Sequence, residues 1–175
     1  KQDTFVDGKR ILSLTNGRSM FMDNEVQMLP PFIIDGRNTA EIFLSNMNYA
    51  QVGAAVVVQE LIDGCQNDYL SEVQKRYPDR FCCMGMAWNE EEAKAVANAG
   101  LRGIAIPGHR MHEPLQNLMP MFKYMEEKGM VLSMCLADDE KQIAQMREVI
   151  QECRNLKVAI GHFGMPTTSS FRSQV

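Results

Sequence analysis

Residues 81–107, FCCMGMAWNEEEAKAVANAGLRGIAIP, decide the fold class. The apolar run from Phe81 to Ala87 reads as a buried strand, although its Cys and Met residues give a weaker β signal than valines would. Asn89 then caps a helix with Glu92 at the box position, and Gly100 stands just past the helix end. Gly103 to Pro107 is again short and apolar, so the stretch reads strand, helix, strand. Strands joined by a helical crossover lie parallel, with a right-handed connection.

The same alternation extends in both directions. Upstream, Gly53 to Gln59 (GAAVVVQ) has the continuous β-branched character of a strand buried on both faces, and a helix from about Asn67 to Tyr77 is ended by Pro78. Before it, Asn38 is expected to cap a helix with Glu41 three residues on and Phe43, Met47 and Ala50 on one face. Downstream, Leu115, Leu118, Met119, Phe122 and Met125 mark a helix closed by Gly129, and Met130 to Leu136 is a strand. Asp138, Asp139 and Glu140 put negative charge on the first turn of a further helix, whose buried stripe is expected to be Ile143, Met146, Ile150 and Cys153. Lys157 to Gly161 is the last strand and runs into His162-Phe-Gly-Met-Pro166, after which the residues are polar and turn-like.

About five βα units are therefore expected in an α/β fold with a parallel sheet, either open and doubly wound or curled into a barrel. Asp7-Gly8, Asn16-Gly17 and Pro30-Pro31 punctuate residues 1–37, where no period persists. The expected organisation is one domain over 1–175, with 1–37 an irregular lead-in and 38–175 the βα units.

The 175 residues are 45% hydrophobic and 23% charged, ordinary values for a globular chain. With a net charge of −4 and no basic run, nucleic acid is not an expected partner. No apolar stretch approaches the roughly 18 residues of a membrane span and no secretory pattern opens the chain, so a cytoplasmic location away from membranes is expected. The five cysteines lack zinc-ribbon spacing and read as free thiols of a reducing compartment. The 14 methionines fall mostly on helix faces or in strands, as core filler. A TIM-type (β/α)8 barrel usually takes roughly 250 residues, so this chain is expected to supply part of one, without its first and last strands. The open sheet edges would then be covered by further segments, a partner, or a second copy in a homo-oligomer.

In parallel α/β folds the chemistry gathers where strands end. Those positions hold Gln59 and Glu60, Trp88, the group His109, Arg110 and His112, then Cys135 with Asp138, and His162. By the period of two, His162 shares a face with Val158 and Ile160 that could point into a barrel lumen toward a metal or substrate; otherwise it is a rim histidine bonded to a neighbouring backbone group. Cys135 shares a face with Val131 and Ser133 and could be a thiolate ligand or an inert core thiol. His109 and Arg110, with Trp88, are candidate substrate contacts, the alternative being solvated loop. Glu60 is a candidate general base or an ion-paired rim carboxylate. No GxGxxG, P-loop or GxSxG motif occurs, which leaves nucleotide cofactors and serine hydrolase chemistry unsupported.

Several segments together carry a family likeness: DGRNTAE at 35–41, Asn46-Met-Asn48, VVVQE at 56–60, Tyr69-Leu70, YPDRF at 77–81, Gly129 to Cys135, and IGHFGMP at 160–166. The chain from about residue 35 onward resembles the amidohydrolase-related family. That resemblance implies a (β/α) barrel and hydrolysis of C–N, C–O or sometimes C–C bonds in a small carboxylate, lactone or amide-like substrate by metal-activated water. A divalent metal, zinc or similar, is implied for the complete family site, though not necessarily for this chain alone. By the resemblance His162 matches the histidine ending the sixth barrel strand, a metal ligand or substrate contact. Cys135 stands where many members have the fifth-strand histidine, a departure from the pattern. By the resemblance, the first-strand His-x-His pair is expected to lie before Lys1 and the eighth-strand aspartate beyond Val175. The alternative is a degenerate, non-catalytic barrel that binds a small acidic ligand; a doubly wound interaction domain is a third reading, favoured by an open strand order.

Overall fold

The computed structural model describes residues 3–34 and 38–166. The Asp35-Gly36 turn and the polar residues after Pro166 lie outside the described residues. Contacts group the chain into two compact units, Lys1–Ala55 with Glu60–Cys65, and Val56–Gln59 with Gln66–Val175.

In the first unit the segment expected to be irregular carries four strands: β1 (Asp3–Val6), β2 (Lys9–Ser13), β3 (Arg18–Phe21) and β4 (Asn24–Gln27). They pair antiparallel as a meander. Strands of four or five residues are too short for a period of two to stand out, which is why the sequence showed the turns and not the strands between them. Asp7 (φ 51°) and Gly8 (φ 74°) form a two-residue loop between paired Val6 and Lys9, the positive φ at both positions matching the twist of a hairpin. Gly17 is required at its turn, because a Cβ there would lie 2.3 Å from the Leu29 carbonyl oxygen. Val6 and Ile11 are buried in this sheet, together with the paired Ser13 and Ser19. The Thr4 hydroxyl donates to the Ile62 carbonyl at 2.5 Å, tying the 3-10 turn Leu61–Asp63 to β1.

Helix α1 (Ala40–Tyr49) is capped by Thr39, whose Oγ1 accepts from Ile42 N at 3.5 Å, so the expected cap at Asn38 is off by one residue. Ala40 and Met47 are buried while Phe43 is 37% exposed, so the apolar face is narrower than expected.

The second unit holds a curled five-stranded sheet in the order β5 (Ala55–Val57), β6 (Phe81–Gly85), β7 (Gly103–Ile106), β8 (Val131–Met134), β9 (Lys157–Ile160). Its helices are α2 (Asn67–Arg76), α3 (Glu90–Asn98), α4 (Met119–Glu127) and α5 (Glu140–Glu152). Spatial order follows chain order without the reversal a doubly wound sheet requires, and β6 to β9 pair in parallel. The architecture is α/β, part of a TIM-type barrel, and the doubly wound reading is excluded.

The expected capping box opens α3: Glu92 N donates to Asn89 Oδ1 at 2.9 Å, and the Glu92 carboxylate accepts from Asn89 Nδ2 and Trp88 N. Phe122, Met121, Met125, Ile104, Leu132 and Met134 form the inaccessible centre of the core. The strand read as buried on both faces, β5, is instead the sheet's edge, with Val56 61% exposed. On α5 the buried stripe is Gln142, Met146, Val149 and Cys153, and Ile150 faces outward. The stripe was misread because its first member is a polar glutamine.

Candidate site at the strand ends

Strand register fixes which side chains share a face. Gly85, Ile104, Leu132 and Val158 form one row across β6 to β9. A Cβ added at Gly85 would meet Val96 Cγ1 at 2.5 Å, so this row faces α3. Ile106, Met134 and Ile160 lie one pleat further on the same side. Ala105, Ser133 and Ala159 therefore form a row on the opposite face, where a barrel has its lumen.

Two sequence expectations separate here. The row of Val131 and Ser133 continues to Cys135, opposite Gly161, and a Cβ at Gly161 would sit 2.9 Å from Cys135 Sγ. The cysteine is therefore correctly placed on the face away from α3. The parity argument for His162 fails, because Val158 and Ile160 share the row that faces α3. The strand moreover ends at Ile160, and His162 lies in the 3-10 turn Gly161–Gly164 with φ 52°, where alternation no longer applies. His162 stands exposed at the rim, with Phe163 (φ 52°) and Met165 (φ 53°) also left-handed around it. Non-glycine residues in this region cost about 1 kcal/mol or more each, and such strain clusters at functional sites.

At the β7 exit, Gly108–Arg110 form a 3-10 turn. His109 N donates to the Cys135 carbonyl at 2.9 Å, and Cys135 N donates to the Ile106 carbonyl at 3.1 Å. His109 and Arg110 are half-buried beside the β8 exit, whereas His112 is exposed. Gly108 has no room for a side chain, since its Cβ would lie 2.8 Å from the Cys135 carbonyl oxygen and 2.9 Å from Met134 Sδ.

Amide side chains organise these exits; Gln59 stands at the strand end where the sequence placed it, and its partner Asn67 was not foreseen. Gln59 Nε2 donates to Asn67 Oδ1 at 2.7 Å and to the Met84 carbonyl at 3.1 Å, while Gln66 N donates to Gln59 Oε1 at 2.6 Å. Asn67 in turn pairs with both the N–H and the carbonyl of Met86, past the end of β6. A polar residue at the start of an apolar-striped helix was the available signal. Trp88 is half-buried at the start of α3. Glu60 belongs to the first unit, where its carboxylate accepts from Leu61 N at 2.6 Å and caps the 61–63 turn.

All five cysteines are free thiols. Burial, with a smaller contribution from Cys82, pushes the Cys83 thiol up to about 11, and burial also raises Cys153, so neither is a thiolate at neutral pH. Burial and the nearby Glu60 raise the Asp63 carboxyl. Among the described residues no group of three or more His, Cys, Asp or Glu side chains is placed to hold a metal ion. The donors among the described residues do not by themselves complete a metal centre. No helix among the described residues is long and apolar enough to cross a membrane.

A family model described as Amidohydrolase matches residues 14–173. The chain belongs to the amidohydrolase family. Among solved structures, this amidohydrolase-family chain is similar to a probable 2-pyrone-4,6-dicarboxylic acid hydrolase from Acinetobacter baumannii with citric acid bound, at TM-score 0.65 and 19% identity over 86% of this chain and 59% of that one. It is also similar to 5-carboxyvanillate decarboxylase from Novosphingobium aromaticivorans, complexed with manganese and 4-hydroxy-3-methoxy-5-nitrobenzoic acid, at TM-score 0.59 and 17% identity over 81% of this chain and 53% of that one. At such identities the likeness establishes the fold. The chain spans between half and three-fifths of the length of these structures. No curated protein matches it.

Proposed function

We propose that the chain is part of an amidohydrolase-type hydrolase acting on a small carboxylate, lactone or amide-like substrate. The observation that carries this reading is the β7–β8–β9 rim, where a conformationally fixed His109-Arg110 turn is hydrogen-bonded to Cys135 and Cys135 packs on Gly161 beside His162. The similar structures hold citric acid and a nitrobenzoic acid, both carboxylates, and Arg110 supplies the planar donor fork suited to such a group. Trp88 would offer an aromatic face, and the His109 and His162 imidazoles would offer ring nitrogens for hydrogen bonds to a substrate. Glu60 has no place in this reading, because its carboxylate already serves as a turn cap.

A divalent metal, zinc or similar, would supply activated water and polarise the scissile carbonyl when bound. Manganese in the decarboxylase structure supports a metal in related barrels. Cys135 and His162 are the donors this chain would contribute, and with no set of three among the described residues we derive no step through a metal. Cys135, standing where the resemblance leads one to expect a histidine, favours one second reading, a barrel that binds a small acidic ligand without turnover. Free thiols throughout support a reducing, cytoplasmic setting.

The test is intact mass and metal content of the purified protein, followed by an assay against lactones, amides and dicarboxylates with zinc or manganese added. Turnover that falls at least tenfold in His109→Ala supports the hydrolase. Carboxylate binding without turnover supports the second reading, and neither binding nor turnover with metal present overturns both.

A further inference from the structure

We infer that Gln142 is a positioning residue that sets the His109-Arg110 turn at the strand-end rim. That the turn meets substrate rests on the proposed function; the clamp itself rests on geometry alone. Gln142 lies in the first turn of α5, is only 7% exposed, and uses both ends of its amide. Nε2 donates to the Gly108 carbonyl at 2.8 Å, and Oε1 accepts from Ala137 N at 2.6 Å. One side chain therefore joins three things: the β7 exit immediately before His109, the loop after β8, and the start of α5.

The surrounding structure shows why an amide is needed. A Cβ built on Gly108 would lie 2.8 Å from the Cys135 carbonyl oxygen, 2.9 Å from Met134 Sδ and 3.3 Å from Gln142 Oε1, so the space on that side of the turn is already filled. Its carbonyl also accepts from Met111 N at 2.9 Å within the turn, so without the Gln142 donor one of its two lone pairs is left unmatched in a buried position and nothing ties the turn to α5. His109 N, one residue on, reaches the Cys135 carbonyl only while Gly108 keeps this path. Glutamine is the residue that offers a donor to Gly108 and an acceptor to Ala137 at once. Ionised glutamate keeps the acceptor and loses the donor, and methionine, of similar volume, has neither.

The experiment is amide hydrogen exchange, read residue by residue by NMR on the full chain with Gln142→Glu and Gln142→Met, together with ring shifts of His109 and His162. In Gln142→Glu, above the titration of the new carboxyl, protection of the His109 amide should fall about tenfold while Ala137 stays protected. Protonation at lower pH restores a donor and should restore the protection. In Gln142→Met both amides should loosen at every pH, and the His109 ring resonances should shift while those of His162 hold. Unchanged protection at His109 in both variants would overturn the clamp. So would equal loosening at Leu132 in the core, which marks a merely structural role. None of these readouts needs turnover, so a failed hydrolase assay with His109 still pinned by Gln142 would sink the proposed function and leave the clamp standing.

Discussion

Gly161→Ala tests the geometry on which the rim rests. Gly161 is not among the positive-φ glycines, so its backbone accepts an L side chain, and relief of unfolded-state entropy alone would stabilise the variant by about 0.4–1 kcal/mol. Against that, the new Cβ would lie 2.9 Å from Cys135 Sγ, well inside ordinary contact, while the Met134 carbonyl oxygen at 3.6 Å is unaffected. The thiol is held on a short side chain and must turn away, an overpacking cost of about 1–3 kcal/mol. The net expectation is destabilisation by about 1–2 kcal/mol. In a Cys135→Ala background the sulfur is gone, and Gly161→Ala should be neutral or stabilising by up to about 1 kcal/mol. The two sites should therefore couple by about 2 kcal/mol, within the range for residues in direct contact. Urea unfolding of the four proteins, compared at unchanged m-value, measures this. Additivity within about 0.5 kcal/mol would refute the contact, and with it the placement of Cys135 over the β9 exit.

Three further outcomes follow from local geometry. Thr39→Ala should lower stability by about 0.5 kcal/mol, the low end for a cap because the Oγ1 to Ile42 N distance is 3.5 Å, whereas Asn38→Ala should change the urea midpoint little. Gly103→Ala should abolish soluble expression or cost more than about 3 kcal/mol, since its Cβ would lie 2.2 Å from the Val131 carbonyl oxygen and 2.6 Å from Met84 Sδ between paired strands. The Cys83 thiol is pushed from 9.0 up to about 11, so the folded state holds its proton more tightly; the stability this contributes is present below pH 9 and is lost as pH rises toward 11. The urea midpoint of wild type should fall across that window relative to Cys83→Ala, and a constant difference between the two would contradict the burial of this thiol.

The second unit was legible because its elements obey local rules that tertiary structure did not override. Asn89 and Glu92 form the expected box, Gly100 and Gly129 sit past their helices with φ of 85° and 65°, and five strands appear in the expected order. Strand order decided what length did not, between a barrel and a doubly wound sheet. The first unit was not legible as strands because they are four or five residues long and mostly solvated, which left turn chemistry as the signal.

The site was half legible, and the two halves fail and succeed for one physical reason. Alternation predicts facing only while the backbone stays extended. Cys135, one residue past β8, keeps the facing of its strand, with its sulfur 2.9 Å from where a Cβ on Gly161 would stand. His162 is two residues past β9, inside a left-handed turn, and the same rule assigned it to a row that packs toward α3. Gln59 is marked by its place at a strand end, but Asn67 and Gln142 carry no such mark: amides look like surface residues in a sequence, and these two are drawn inward by partners on a neighbouring strand's exit. In this fold a polar residue in the first turn of a crossover helix, standing on the helix's apolar stripe, is therefore a signal worth reading: it marks where a helix fixes the loop that carries the chemistry.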